Sequence, residues 1–244
     1  MRCLVLSDIH SNLEALHAVL DDAGSVDEIW CLGDVVGYGP DPNACVELLR
    51  DRVTVWIAGN HDWGTLGKLD LRDFNSDARD ANLWNRRQLS VSNLTFLQTL
   101  PETWVEGPFT LVHGSPRHPI WEYVIHCSTA QDCAPFFHTP FCLVGHTHTP
   151  VIFQLSENNG EVTCESVPIV LGQRFEMGTD RLILNPGSVG QPRDGDPRAS
   201  YLILDPDSLT VEYHRVAYPV EAAQAKMMDR DLPMRLIMRL AYGW

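Results

Sequence analysis

Five short clusters of the chain carry side chains able to hold a metal ion. They are Asp8-Ile9-His10, Gly33-Asp34, Gly59-Asn60-His61-Asp62, His113-Gly114 and Gly145-His146-Thr147-His148. Asp8, His10, Asp34, Asn60, His113, His146 and His148 offer oxygen and imidazole donors and no thiolate, a set suited to Mn²⁺, Fe or Zn²⁺ rather than to soft metals. These donors exceed the needs of one ion with an open position, and two ions sharing one carboxylate account for them better. An isolated D-x-H or H-x-H reads as a solvated loop, so the weight rests on all five clusters together. If the backbone stays extended, Asp8/His10 and His146/His148 each direct both side chains to one side.

Each cluster follows an apolar run that stops abruptly. Arg2–Leu6, Glu28–Leu32, Val53–Ala58, Phe109–Val112 and Phe141–Val144 read as buried strands of a sheet covered on both faces. Helices are expected between the early ones. Ser11 to Asp22 begins with a Ser11/Glu14 capping box and places Leu13, Leu16 and Leu20 on one stripe. Asp41–Arg50 tolerates Pro42 in its first turn, and Asp77–Leu100 is long enough for two helices. Alternating strands and helices imply parallel strands, whose carboxyl ends are where open α/β sheets bind ligands. From Val151 the runs 151–156, 161–165, 181–185, 201–205 and 209–215 have no helix between them. They read as an antiparallel sheet packed on the first. A helical segment over 219–241, with Leu232, Leu236, Ile237 and Leu240 at helical spacing, is expected to pack on the body. No linker divides residues 1–244, which predicts a single domain.

Composition excludes several classes. Hydrophobic residues make up 44% and charged residues 20% of the 244, as in a folded globular protein rather than a disordered one. With 18 basic against 32 acidic residues the net charge is −14, which argues against duplex nucleic acid as a partner. Seven cysteines without a C-x-x-C pair read as reduced core thiols. No apolar stretch is long enough to span a membrane, and the N-terminus lacks signal-peptide character, so the expected location is the cytoplasm.

The five motifs in this order resemble those of the calcineurin-like metallophosphoesterases, D-x-H, G-D-x-x, G-N-H-D/E, H-G and G-H-x-H, over Met1 to about Asp205. The likeness is to the small bacterial branch that includes phosphodiesterases and asymmetric dinucleoside tetraphosphate hydrolases. It implies an α/β fold, a four-layer α/β/β/α sandwich of two mixed sheets flanked by helices. It also implies one metal on Asp8, His10 and His148, a second on Asn60, His113 and His146, and Asp34 bridging them. The expected ions are two divalent cations, Mn²⁺ favoured over Fe or Zn²⁺.

Two such ions roughly 3.5–4 Å apart activate a bridging water and clamp a phosphate for in-line attack. His61, adjacent to Asn60 and not needed as a ligand, is then the expected general acid for the leaving alkoxide. The expected substrate is a small phosphodiester, nucleotide or dinucleoside polyphosphate. Phosphoprotein phosphatases and symmetric dinucleoside tetraphosphatases carry G-D-x-V-D-R-G, where this chain has Gly37 and Tyr38 in place of the Asp and Arg. That departure disfavours those activities and leaves the group that orients His61 unnamed, since Asp62 points elsewhere unless the backbone turns. A non-catalytic scaffold of the same fold is the other alternative, disfavoured because His61 and every ligand type are retained. Arg193, in the Gly/Pro-rich stretch 185–195, is a candidate phosphate-binding cation. Trp63, Trp121 and Tyr123 are candidate base-stacking rings, though core packing is the commoner role. Asn12 reads as a helix cap.

Overall fold

A computed structural model describes residues 1–244. In chain order its elements are β1 (Cys3–Leu6), α1 (Leu13–Ala23), β2 (Glu28–Cys31), α2 (Pro42–Arg50), β3 (Val55–Trp56), α3 (Asn60–Leu66), α4 (Ser76–Gln88), α5 (Val91–Gln98), β4 (Thr103–Glu106), β5 (Phe109–Val112), α6 (Cys127–Cys133), β6 (Phe141–Leu143), β7 (Val151–Asn158), β8 (Glu161–Val167), β9 (Arg174–Glu176), β10 (Arg181–Asn185), β11 (Ala199–Asp205), β12 (Thr210–Val216), α7 (Val220–Asp229) and α8 (Met234–Arg239). The strands form two six-stranded sheets, ordered β3-β2-β1-β11-β12-β9 and β4-β5-β6-β10-β7-β8. Both are mixed: β1 to β3 run parallel and β5, β6 and β10 run parallel, while the remaining pairings are antiparallel.

The period of two along each strand sorts side chains into layers. Cys3 and Val5 of β1 enter a cluster with Trp30, Phe109, Leu111, Phe141, Leu182 and Leu202, the layer between the sheets. Leu4 and Leu6 point the other way, into a larger cluster with Leu16 and Val19 of α1, Val46 of α2 and Met227 of α7. Val112, Cys142 and Ile183 pack on Ala130 and Cys133 of α6, covering the outer face of the second sheet. The result is the expected helix–sheet–sheet–helix stack. Leu232, Leu236, Ile237 and Leu240 join the first sheet's outer cluster, as the helical spacing of the C-terminal segment predicted. All seven cysteines are free and five are buried. No helix is long and apolar enough to cross a membrane.

The expectation of one parallel sheet covered by a separate antiparallel sheet is overturned. Strands from the second half extend both sheets: β11 pairs antiparallel with β1 (Leu4 opposite Ile203), and β10 pairs parallel with β6 (Ile183 opposite Cys142). A short apolar run specifies a strand but not its neighbour, because any open strand edge offers the same row of N–H and C=O groups. The five ligand clusters therefore come from two sheets facing one another. The Ser11/Glu14 capping box is also absent. Asn12 caps α1 by accepting from the Ala15 N–H, while Ser11 Oγ donates to Asn85 and Glu14 pairs with Lys226.

Trp30 is almost completely buried between the sheets, its ring edge-on to Phe109 at 5.5 Å, and its indole N–H donates to Glu28 at 2.8 Å. Trp30→Ala opens a cavity there and is expected to cost about 3–5 kcal/mol in denaturant-induced unfolding.

Candidate metal centre

The backbone turns sharply after β1, β2 and β6, where three of the five strands deliver candidate ligands. Asp8, His10, Asp34, His146 and His148 have φ between 49° and 65°, and so do Ser11 and Tyr38 beside them. The expectation that Asp8/His10 and His146/His148 lie on extended backbone is thus corrected: a left-handed turn aims each pair. Such conformations cost on the order of 1–3 kcal/mol each for residues with a Cβ, although Asp and His tolerate them better than most. Bonds between the loops hold them in place. Asp8 N–H donates to Gly33, His10 N–H to Asp34 and Ser11 N–H to Val35, while Gly190 N–H donates back to Asp8. Gly59 is required for a different reason: a Cβ there would stand 2.0 Å from Asp34 Oδ1.

Seven candidate ligands converge from these loops, and all are at least 97% buried. One ligand atom each from Asp8, His10 and His148 lie within 4.8 Å of one another, and Asp34, His113 and His146 form a second such group. Asp34 Oδ2 stands between the groups, 3.2 Å from His113 Nε2 and 3.7 Å from His10 Nε2. Asp8 Oδ1 is 3.2 Å from His148 Nε2 and 3.6 Å from His10 Nε2. Asn60, the first residue of α3, places its amide oxygen 3.1 Å from His113 Nε2.

The outer nitrogens of the imidazoles are already spoken for. Nδ1 of His10, His113 and His148 meets the carbonyls of Val36, Leu32 and Gln191, and His146 Nε2 meets that of Trp121. Donation to a carbonyl fixes the tautomer and leaves the opposite nitrogen's lone pair facing inward, as a metal requires. The carboxylates are half satisfied in the same sense. Asp8 Oδ2 accepts from Ser7 Oγ at 2.6 Å and His146 N–H at 3.0 Å, and Asp34 Oδ1 accepts from His61 N–H at 2.8 Å. Asp8 Oδ1 and Asp34 Oδ2 accept from nothing, although both are buried. Leaving a buried carboxylate oxygen unpaired is expensive, and divalent cations are the partners that these inward lone pairs and orphan oxygens fit.

Proton affinities follow the same arrangement. Burial pulls His146 and His148 down to about 3, the neutral form that ligates metal. Burial also works against charge on His113, but the Asp34 carboxylate overrides it and lifts that imidazole to about 9. A cation held by Asp34 and His113 would take the place of that proton. Burial opposes ionisation of Asp8 and Asp34, yet the surrounding imidazoles, His148 foremost for Asp8 and His113 for Asp34, hold both below the usual carboxylate range.

His61 lies beside this group, its ring 4.9 Å from that of His10. Its Nδ1 meets the amide oxygen of Asn82 at 3.0 Å, the partner that sequence reasoning left unnamed. A signal for Asn82 existed: Ala78, Ala81, Asn82 and Asn85 form the buried stripe of α4, and asparagines on such a stripe need partners. Asp62 does point away from the His61 ring. Its carboxylate accepts from the N–H groups of Gly59, Asp34 and Val36, pinning the Asp34 loop to the start of α3. Burial lowers the His61 pKa well below its ordinary value. Tyr38 covers one side of its ring at 4.2 Å.

Arg193 lies at the mouth of the group, its guanidinium 5.6 Å from the Tyr38 ring centroid and donating to the Tyr38 hydroxyl at 3.2 Å. Tyr123 stacks on His146 at 3.9 Å, and Trp121 packs on Phe74 at 4.8 Å with both indole and phenol rings over one-third exposed. Trp63 is turned into the outer cluster of the first sheet, with Lys68 over its ring, and is a packing residue.

Comparison with known proteins agrees with this geometry. Residues 1–209 match the calcineurin-like phosphoesterase superfamily domain. An uncharacterized protein of Methanocaldococcus jannaschii is 41% identical over 246 residues, covering 98% of this chain and 97% of that one. The crystal structure of a metallophosphoesterase from Sphaerobacter thermophilus superposes with a TM-score of 0.89 at 48% identity, over 100% of this chain and 99% of the other. A hypothetical protein of Pyrococcus horikoshii shares the fold, with a TM-score of 0.79 at 19% identity over 100% and 98% of the two chains. The chain belongs to the calcineurin-like phosphoesterase superfamily and is a metal-dependent phosphoester hydrolase.

Proposed function

We propose that the protein hydrolyses a small phosphodiester, nucleotide or dinucleoside polyphosphate with two divalent cations. Asp8, His10 and His148 hold one, Asn60, His113 and His146 the other, and Asp34 lies between. The observation that carries this reading is the pair of orphan oxygens, Asp8 Oδ1 and Asp34 Oδ2, facing imidazole nitrogens whose far sides are locked by backbone carbonyls. Bound there, the cations supply Lewis acidity toward phosphoryl oxygens and make water a nucleophile near neutral pH.

The chain's own residues do the rest. His61 donates Nδ1–H to Asn82, which leaves Nε2 as the nitrogen free to serve the substrate. Burial keeps the free imidazole neutral, and the negative charge of a bound phosphate raises its proton affinity, so substrate binding itself readies the acid. Nε2–H then protonates the departing alkoxide. Tyr38 packs on the His61 ring and Tyr123 on that of His146, placing an aromatic side chain against each of these imidazoles. Arg193, beside Tyr38, receives a phosphate oxygen of the substrate.

Bis-p-nitrophenyl phosphate is expected to turn over with Mn²⁺ and to stop doing so on chelation. Full metal loading with no turnover on any nucleotide or diester would instead support a scaffold, and preference for phosphopeptides a protein phosphatase. His61→Ala is expected to retain its metals by elemental analysis while losing about 10²–10⁴-fold in kcat on esters with poor leaving groups. Asn82→Ala, which frees the His61 ring, is expected to lose about 10–100-fold with metal content again unchanged.

A further inference from the structure

Beside the metal centre lie two arginines that form no ion pair with any carboxylate of the protein. Arg193 and Arg239 both donate to one oxygen, Gln191 Oε1, at 2.9 and 3.2 Å. Neither forms an ion pair, although Arg117, Arg198, Arg215 and Arg230 each meet a carboxylate. The Nε atoms of both guanidinium groups are buried without a partner, and so is the Nε2 amide of Gln191, a side chain only 1% exposed. Burial and the neighbouring Arg193 charge lower the Arg239 pKa, with Arg235 adding to the repulsion, while Tyr38 and Asp77 act in the opposite direction. Two like charges gathered on one amide oxygen with donors to spare make a site awaiting an anion.

Its place relative to the metal centre is set by contacts. Gln191 receives His148 Nδ1 on its backbone carbonyl and both arginines on its side chain. His61 touches Tyr38 and Tyr38 touches Arg193, whereas the side chain of Arg239, at the end of α8, bonds only to Gln191. The arginine pair therefore adjoins the cluster of ligands without entering it. Arg239 lies in the C-terminal segment, beyond residues 1–209 that match the superfamily domain.

We infer that Arg193, Arg239 and Gln191 bind a second, non-reacting phosphoryl group joined to the one hydrolysed, so that the substrate is a pyrophosphate-linked compound such as a dinucleoside polyphosphate. This rests on the phosphoesterase reading above and narrows it. Two planar guanidinium forks held on one amide oxygen offer donors in several directions, which suits a tetrahedral group with three free oxygens.

Calorimetric titration of inorganic pyrophosphate into the metal-stripped protein isolates this site from catalysis. Binding is expected, weakened at least tenfold by Arg239→Ala and less by Arg239→Lys, which keeps the charge but loses the fork. Circular dichroism melts that match wild type show that either variant is folded. In the Mn²⁺-loaded enzyme, the ratio of kcat/KM for diadenosine tetraphosphate to that for bis-p-nitrophenyl phosphate is expected to fall at least tenfold in Arg239→Lys and further in Arg239→Ala. Unchanged pyrophosphate affinity in a folded Arg239 variant, or an unchanged ratio, overturns the inference. Failure of both substrates to turn over at all counts against the phosphoesterase reading alone, and the calorimetry still decides the anion site.

Discussion

Two aspartates sit in the interior of this protein with one oxygen each left unpaired, and the rest of the site is organised around that unmet charge. Asp8 and Asp34 are fully buried, and their other oxygens are occupied by Ser7, His146 and His61. Inward-facing imidazole lone pairs surround the free oxygens, held in orientation by carbonyls of neighbouring loops. Such an assembly is poorly stable by itself, since each group is desolvated without full compensation. Positive charge brought from outside resolves it, which is why the site reads as a container for cations and not as a polar core.

That container is assembled by strained loops, and the strain has identifiable supports. Left-handed backbone at five ligand positions is held by loop-to-loop N–H···O=C bonds, by Asp62 across three N–H groups, and by Asn85. Asn85 accepts from Ser11 and Gly37 and donates to the Gly39 carbonyl. Buried polar networks of this kind fix geometry when every member is satisfied. Asn82, one turn from Asn85 in register with His61, extends the same scaffold to the proposed acid.

Much of the site was readable in the sequence because its chemistry is concentrated in short motifs that end strands. Strand-terminal Asp, His and Asn announced the candidate ligands that the fold brings together, and the Pro219–Trp244 segment showed its apolar stripe. What sequence reasoning missed was relational. Val151–Asn158 and Ala199–Asp205 look alike as apolar runs, and only the three-dimensional pairing puts one in each sheet. Asn82 and Asn85 lie in an otherwise polar helix, where burial, not identity, gives them meaning. Thr103–Glu106 and Arg174–Glu176 are exposed or half-exposed edge strands with no apolar run to mark them. Gln191 and Arg239 lie far apart in sequence and meet through the packing of α8 on the body.

The interleaving of the sheets also bears on biosynthesis. Strand β1 needs β11 on its free side, with Leu4 opposite Ile203, and the Asp8 loop needs the Gly190 N–H. At translation rates of about 5–20 residues per second, the first strand waits on the order of 10–40 s for its neighbour to be made. During that interval an apolar edge and two acidic loops stand open on the nascent chain. A first strand whose neighbour is made so late is a long-range pairing, and topologies rich in such pairings fold slowly.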